Sequence, residues 1–325
     1  GDLAGGWQFR PVQYAKHRVE AGEWSRAWRV ENAFARQPAR LRIEALMSAG
    51  PYDAPGNVTV ADFTKPEEFS SRSAAGDFRA ELKRSEEQVK TGGASGLYAA
   101  TNSGATPRGA WTRVERPFDP PLDLSKHQAL GLWVYGDGQQ QVLNLQLRSP
   151  SHISHAIGDH YIPVDFTGWR YFELIEPEGE RHAQYAWPYG GIYSIYRESV
   201  SYGQIASLGL WYNSLPPGKR AACYLSPIQA LPLVSTKLAN PAISIGGRRI
   251  VFPVEIESGC YLECNSAEDC RLYGPQGQLL RSFVPEGEIP SLEAGTNEVR
   301  FECDVSAGAS PRANVTVISF GEPRK

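Results

Sequence analysis

No stretch of this chain approaches the run of about 18 apolar residues that a membrane-spanning helix needs. Charge of one sign is lacking too: 36 acidic residues oppose 33 basic ones, and no basic stripe stands out. A nucleic-acid ligand wants a positive face against its phosphates, so that partner class is not expected. No period of about 20–50 residues recurs, which sets aside solenoids and propellers. Cysteine is scarce and uneven, with Cys223 apart and Cys260, Cys264, Cys270 and Cys303 grouped near the C-terminus. A tetrathiolate zinc site needs two close pairs, and the 32 residues between Cys270 and Cys303 are too loose for the second. Two readings stay open for these thiols: one or two disulfides in an exported domain, or buried free cysteines in strands. The chain opens at Gly1 with neither Met nor signal peptide, and it is expected to be part of a longer, exported protein. Secretion, the periplasm or the cell surface is the expected location.

What is abundant is turn and sheet chemistry. The 325 residues include 32 Gly and 24 Pro, with 11% aromatics, a profile of short strands and many reversals. The expected fold is all-β, a central jelly-roll β-sandwich with small flanking β-sandwich domains. Residues 1–55 read as a small β segment or the tail of a preceding domain. Residues 56–234 form the jelly roll, and residues 235–325, with turns every 8–12 residues, an immunoglobulin-like sandwich. The segment 48–56, rich in Pro and Gly, reads as a linker. The one helix-like patch, at 78–89, is heavily charged.

Chemistry concentrates in residues 122–174. Leu130, Leu132 and Val134 alternate with Gly131, Trp133 and Tyr135; past Gly136-Asp137-Gly138, Leu143, Leu145 and Leu147 alternate with Asn144, Gln146 and Arg148. Alternation with period two marks half-buried strands, and the glycines suit a tight reversal between them. The leucines are expected on the core side of a strand pair. Trp133, Tyr135, Asn144, Gln146 and Arg148 are expected on the other side. Flat aromatic surface beside planar polar groups suits a pyranose ring and its hydroxyls. Alternation adds Tyr161 and Trp211 to the outward set, and leaves open which of these strands share a sheet.

Two loops extend the candidates. Residues 185–202 hold Tyr185, Trp187, Tyr189, Tyr193, Tyr196 and Tyr202, broken by Pro188 and paired glycines, too irregular for one strand or helix. Trp187, Tyr189 and Tyr193 are expected to wall a sugar cleft, or else to pack as a self-contained loop or against another domain. Four of the six histidines are His152, His155, His160 and His182. His152-x-x-His155 in a Ser/Pro loop is not a helical metal pair, so His152 and His155 are read as hydrogen-bonding partners of a sugar, or else as plain loop histidines.

The runs LDLSKHQALGLWVYGDG, LNLQLRS, IPVDFTGWRYFEL and, at 205–232, IASLGLWYNSLPPGKRAACYLSPIQALP resemble the galactose-binding-like β-sandwich modules of polysaccharide-degrading enzymes. The resemblance covers residues 58–232. It implies non-catalytic binding of a polysaccharide or oligosaccharide, with an attached or neighbouring glycoside hydrolase or lyase domain. It also implies a possible structural Ca2+, for which Asp62 in VTVADFT is the candidate ligand. No catalytic residue is assigned. An enzymatic alternative, a β-sandwich lyase or hydrolase, would use Tyr161, Tyr193, His152 and His155 for proton transfer. A structural inter-domain role is the third reading. Arg148 and the histidines point toward an anionic glycan.

Overall fold

Alternating leucines must be covered on one side only, which calls for two sheets laid face to face. A computed structural model describes residues 10–75, 77–105, 111–152, 155–175, 185–186, 192–193, 197–304 and 310–323. Among these, Pro66–Glu68 and Tyr202–Gln204 form short 3-10 turns and every other element is a strand. Among the described residues no helix is long and apolar enough to cross a membrane. The chain divides into two units, Ala49–Leu233 and a second one made of Gly1–Ser48 with Val234–Lys325.

The unit Ala49–Leu233 is a jelly-roll sandwich. Its front sheet runs Arg197–Glu198, His155–Pro163, Val142–Arg148, Ile205–Asn213, Trp111–Leu122, Ser71–Ala75. The back sheet runs Val58–Ala61, Ile228–Leu231, Ala129–Asp137, Arg220–Leu225, Ser95–Asn102, Phe78–Ser85, with Thr167–Ile175 also paired to Ala129–Asp137. Leu130, Leu132 and Val134 from the back sheet meet Leu143, Leu145, Leu147, Leu208 and Leu210 from the front sheet in one core. Burying each such side chain contributes about 1.5–3 kcal/mol before entropy is counted.

This topology corrects the expected strand pair. Ala129–Asp137 and Val142–Arg148 do not pair with each other; they belong to opposite sheets. Both leucine rows are needed as opposing walls of one core, and a hairpin would have set them side by side. The Gly136–Gly138 turn is therefore a crossover. The Asp137 carboxylate holds it, accepting from Gln139 N at 3.1 Å, Gln141 Nε2 at 3.0 Å and Ala222 N at 2.6 Å. The helix-like patch is corrected as well, because Phe78–Ser85 is a strand paired with Ser95–Asn102. Its charges hid a period of two: Leu82 is buried, while Glu81 and Lys83 flank it on the outer side.

The second unit also stacks two sheets. One runs Val12–Val19, Arg312–Phe320, Arg40–Leu46, Tyr261–Ser266, Asp269–Tyr273, Leu279–Phe283. The other runs Ser25–Asn32, Gly295–Glu302, Ala242–Ile245, Arg248–Val251, Glu286–Gly287. The strands within residues 1–48 thus complete the C-terminal sandwich instead of forming a segment of their own. The physical reason is that a few short strands cannot cover their own apolar face. Cys264 and Cys270 are joined in a disulfide, Cys223 and Cys260 are buried thiols, and Cys303 is half-buried.

Candidate functional site

The outer face of the front sheet is built row by row from strand register. Tyr161, Asn144, Trp211 and Arg113 lie side by side across four strands. Asp159, Gln146, Gly209 and Glu115 form the next row, and Arg148 lies beside Ser207 in the one after. Trp111 stands next to Asn213 at the other end.

These side chains form a connected network. The Asp159 carboxylate accepts from Asn144 Nδ2 and Gln146 Nε2, both at 2.8 Å. Asn144 Oδ1 accepts the His160 amide at 3.0 Å, and Gln146 Oε1 accepts Arg148 Nε at 2.7 Å. Glu115 accepts the Ser207 hydroxyl at 2.5 Å and pairs with Arg113 at 3.3 Å. Asn144 and Gln146 are each only 4% exposed, although they point away from the apolar core. Their burial is tolerable because every amide named here has a partner, and those partners fix the planes of both amides.

Gly209 sits at the centre and its missing side chain matters. A Cβ there would stand 3.1 Å from Trp211 Nε1, so the glycine lets the indole lie across the strand. The Trp111 and Trp211 rings are 5.0 Å apart at 48°, and the Arg113 guanidinium lies 5.2 Å from the Trp211 ring. Trp211 Nε1 and Arg113 Nε are buried donors without a hydrogen-bond partner among the described residues. The face therefore offers an aromatic wall and a preset polar floor.

Trp133 and Tyr135, expected beside Asn144, lie instead on the outer face of the back sheet, because their strand belongs there. Trp133 packs against Tyr171 at 5.2 Å, Tyr135 against Trp169 at 5.5 Å and Tyr224 at 5.9 Å. The expected single site is thus two faces. His152 is exposed, its backbone amide donating to Glu198 at 3.1 Å. The backbone of His155 pairs with Arg197 and that of Tyr193 with Tyr185, while their side chains lie outside the described part. Trp187 and Tyr189 also lie outside the described residues.

Asp62 is committed locally, its carboxylate accepting from Thr64 N at 3.0 Å and Thr64 Oγ1 at 2.8 Å. The Thr64 amide chiefly holds this carboxyl below its ordinary value. No group of three or more His, Cys, Asp or Glu that could hold a metal occurs among the described residues.

Sequence reasoning missed Trp111, Arg113, Glu115, Asp159 and Ser207 on the front face. Their signal was present in the alternation of Trp111, Arg113 and Glu115 with Thr112 and Val114, both buried.

No family model matches the chain, and no curated protein matches it. Solved structures do. One is a family 11 carbohydrate-binding module of a Clostridium thermocellum cellulosomal cellulase, at 12% identity and TM-score 0.38, covering 56% of this chain and 97% of that one. A family 30 module of a second cellulosomal cellulase from that organism shows 11% identity and TM-score 0.31, over 62% and 96%. An exo-β-agarase shows 13% identity and TM-score 0.35, over 56% of this chain and 25% of the agarase. The architecture itself rests on the chain's own sheets.

Proposed function

We propose that the Ala49–Leu233 jelly roll is a non-catalytic carbohydrate-binding module whose front face holds a polysaccharide for an attached glycoside hydrolase or lyase. The observation that carries this reading is the pair Asn144 and Gln146. They are buried on an outward-facing surface, locked by Asp159, and set beside the Trp111–Trp211 wall. Indole rings take the C–H face of a pyranose, and fixed amides and guanidinium groups exchange hydrogen bonds with its hydroxyls. Because the polar groups are already ordered, little side-chain entropy is lost on binding. Attachment then raises the local concentration of polymer at the catalytic partner.

The ligand is a neutral glycan. Arg113 pairs with Glu115, and Arg148 is engaged by Gln146 with Glu115 4.0 Å away, so the floor carries no surplus positive charge for a uronate. The second unit serves as an immunoglobulin-like spacer, a reading supported by its two stacked sheets. Its disulfide supports an exported protein, since such bonds persist in oxidising compartments.

The test is a tryptophan-fluorescence titration with soluble neutral and anionic polysaccharides, followed in parallel for the ultraviolet absorbance of unsaturated products. Saturable quenching by a neutral polymer is expected, without new absorbance. Trp211→Ala is expected to cost about 2 kcal/mol, roughly thirty-fold in Kd. Unchanged affinity in that variant would sink the front-face assignment, and rising absorbance would make the module an enzyme.

A further inference from the structure

The back sheet carries a second aromatic row that the front-face reading leaves without a task. Register sets Trp169, Tyr135 and Tyr224 next to one another on three adjacent strands, and Leu97 and Lys83 continue the row on the next two. Five strands at about 4.8 Å spacing make a track about 19 Å long. All three rings are half-buried, with their outer parts open. Trp133 and Tyr171 flank the track, and the Lys90 ammonium lies 4.5 Å from the Trp133 ring.

At the far end the track opens into a cleft of about 690 Å³ whose lining includes Lys83, Glu86, Glu87, Arg220 and Tyr224. Its charges are mutually matched. Arg220 reaches Glu81 at 3.1 Å, Lys83 reaches Glu81 at 3.5 Å, and Arg84 reaches Glu86 at 2.6 Å. Tyr224 donates its hydroxyl to Glu87 at 2.7 Å. A phosphate or a uronate would find each cation already answered. A ligand with flat apolar faces and many neutral hydroxyls would find both the rings and the donors it needs.

We propose that this track is a second glycan-binding site, independent of the front face and selective for neutral oligosaccharide. The site stands on the back-sheet register; only its ligand class shares the chemistry argued for the front face. The two outer faces look in opposite directions across a core about 10 Å thick. One extended polymer cannot lie along both, so the module binds two chains and bridges them.

The experiment is isothermal titration of the full chain with cellohexaose, xylohexaose, mannohexaose and neoagarohexaose. Two ligands per chain are expected for the unaltered protein. Trp169→Ala/Tyr224→Ala is expected to leave one, and Trp111→Ala/Trp211→Ala is expected to leave the other. Binding that survives at the untouched face reports that each double variant is folded. Tyr224→Phe, which keeps the ring and loses the hydroxyl bound to Glu87, is expected to weaken only the back site, by about five- to tenfold. The matching turbidity assay is expected to show soluble polymer cross-linked by the unaltered protein and by neither double variant.

An unchanged stoichiometry in Trp169→Ala/Tyr224→Ala overturns the second site and leaves the front face standing. Loss of all binding in Trp111→Ala/Trp211→Ala, with its melting transitions intact, does the same. Loss of all binding in Trp169→Ala/Tyr224→Ala, again with intact transitions, would keep the back site and remove the front one. A protein silent toward all four sugars overturns both.

Discussion

The two sandwiches of this chain are alike in layering and unlike in how they are drawn from the sequence. The jelly roll takes every strand from the continuous stretch Ala49–Leu233, whereas the smaller sandwich is assembled from both ends of the chain. Arg40–Leu46, near one end, lies between Arg312–Phe320 and Tyr261–Ser266, near the other. The jelly roll is in effect an insertion between Ser48 and Val234. Its outer faces also differ in kind. Those of the jelly roll carry long aromatic and amide rows. In the smaller unit the outer ring contacts are small groups packed against arginines: a Tyr261–Tyr273 stack capped by Arg42 at 3.8 Å, with Arg42 also paired to Glu263, and Phe320 beneath Arg10 and Arg40. The difference teaches that a continuous stretch can hold a self-sufficient core, while a divided one makes each end depend on the other.

The largest test of that contrast removes residues 1–48. Leu41, Ile43 and Ala45 leave the middle of a sheet, so the smaller sandwich is expected to lose its fold entirely while the jelly roll keeps its own core. Calorimetry of the whole chain should show two transitions and that of the truncated chain one, with glycan binding retained. Two surviving transitions would break the comparison. A milder pair of changes localises it. Ile43→Ala and Leu145→Ala each empty a fully buried site and should cost about 2–5 kcal/mol. Each is expected to lower only its own unit's transition.

A smaller effect is expected at the jelly-roll centre, where Tyr98 and Tyr212 stack at 4.3 Å. The Tyr212 hydroxyl donates to the Tyr98 carbonyl at 2.9 Å and lies 2.6 Å from Cys223 Sγ. Tyr212→Phe takes this donor from the buried Tyr98 carbonyl, at a cost of about 1–3 kcal/mol to the jelly roll alone, read as a lowered denaturant midpoint. Burial also pushes the Cys223 thiol up to about 12, so this thiol should resist maleimide in the folded chain at neutral pH and label once Tyr212→Phe is unfolded. Labelling in the native state would contradict the packing described.

How far the sequence carried these conclusions follows the same division. Period-two alternation marked Leu130–Val134 and Leu143–Leu147 as core, because alternation is local and each strand displays it alone. Which sheet a strand joins is not local. Nothing near Gly136-Asp137-Gly138 says that Asp137 will hold Ala222, 85 residues on, and that bond belongs to the crossover that puts Trp133 and Asn144 on opposite faces. The polar floor was half legible: Asn144, Gln146 and Arg148 were found, and Asp159, which orders both amides, was not, because it lies on a neighbouring strand. The strands within residues 1–48 were visible as strands, but their partners lie more than 200 residues away.

The finest discrimination between the units uses pH. His17 stacks on Trp28 at 4.3 Å in the smaller sandwich, and its Nε2 is buried without a hydrogen-bond partner among the described residues. Burial lowers its pKa below the ordinary 6.5, and nearby Arg26 adds to the effect. The folded state therefore resists a proton that the unfolded chain accepts. Stability from the neutral ring is fully present above the unfolded value of 6.5 and declines as pH falls below it. The smaller sandwich's transition should drop between about pH 7.5 and pH 5.5. Carboxylates also respond at the acid end, so the decisive quantity is a difference of slopes. His17→Phe keeps a flat ring against Trp28 and removes the titration, and it should flatten that part of the slope. An identical slope in His17→Phe would show that the imidazole is not what couples this unit to pH.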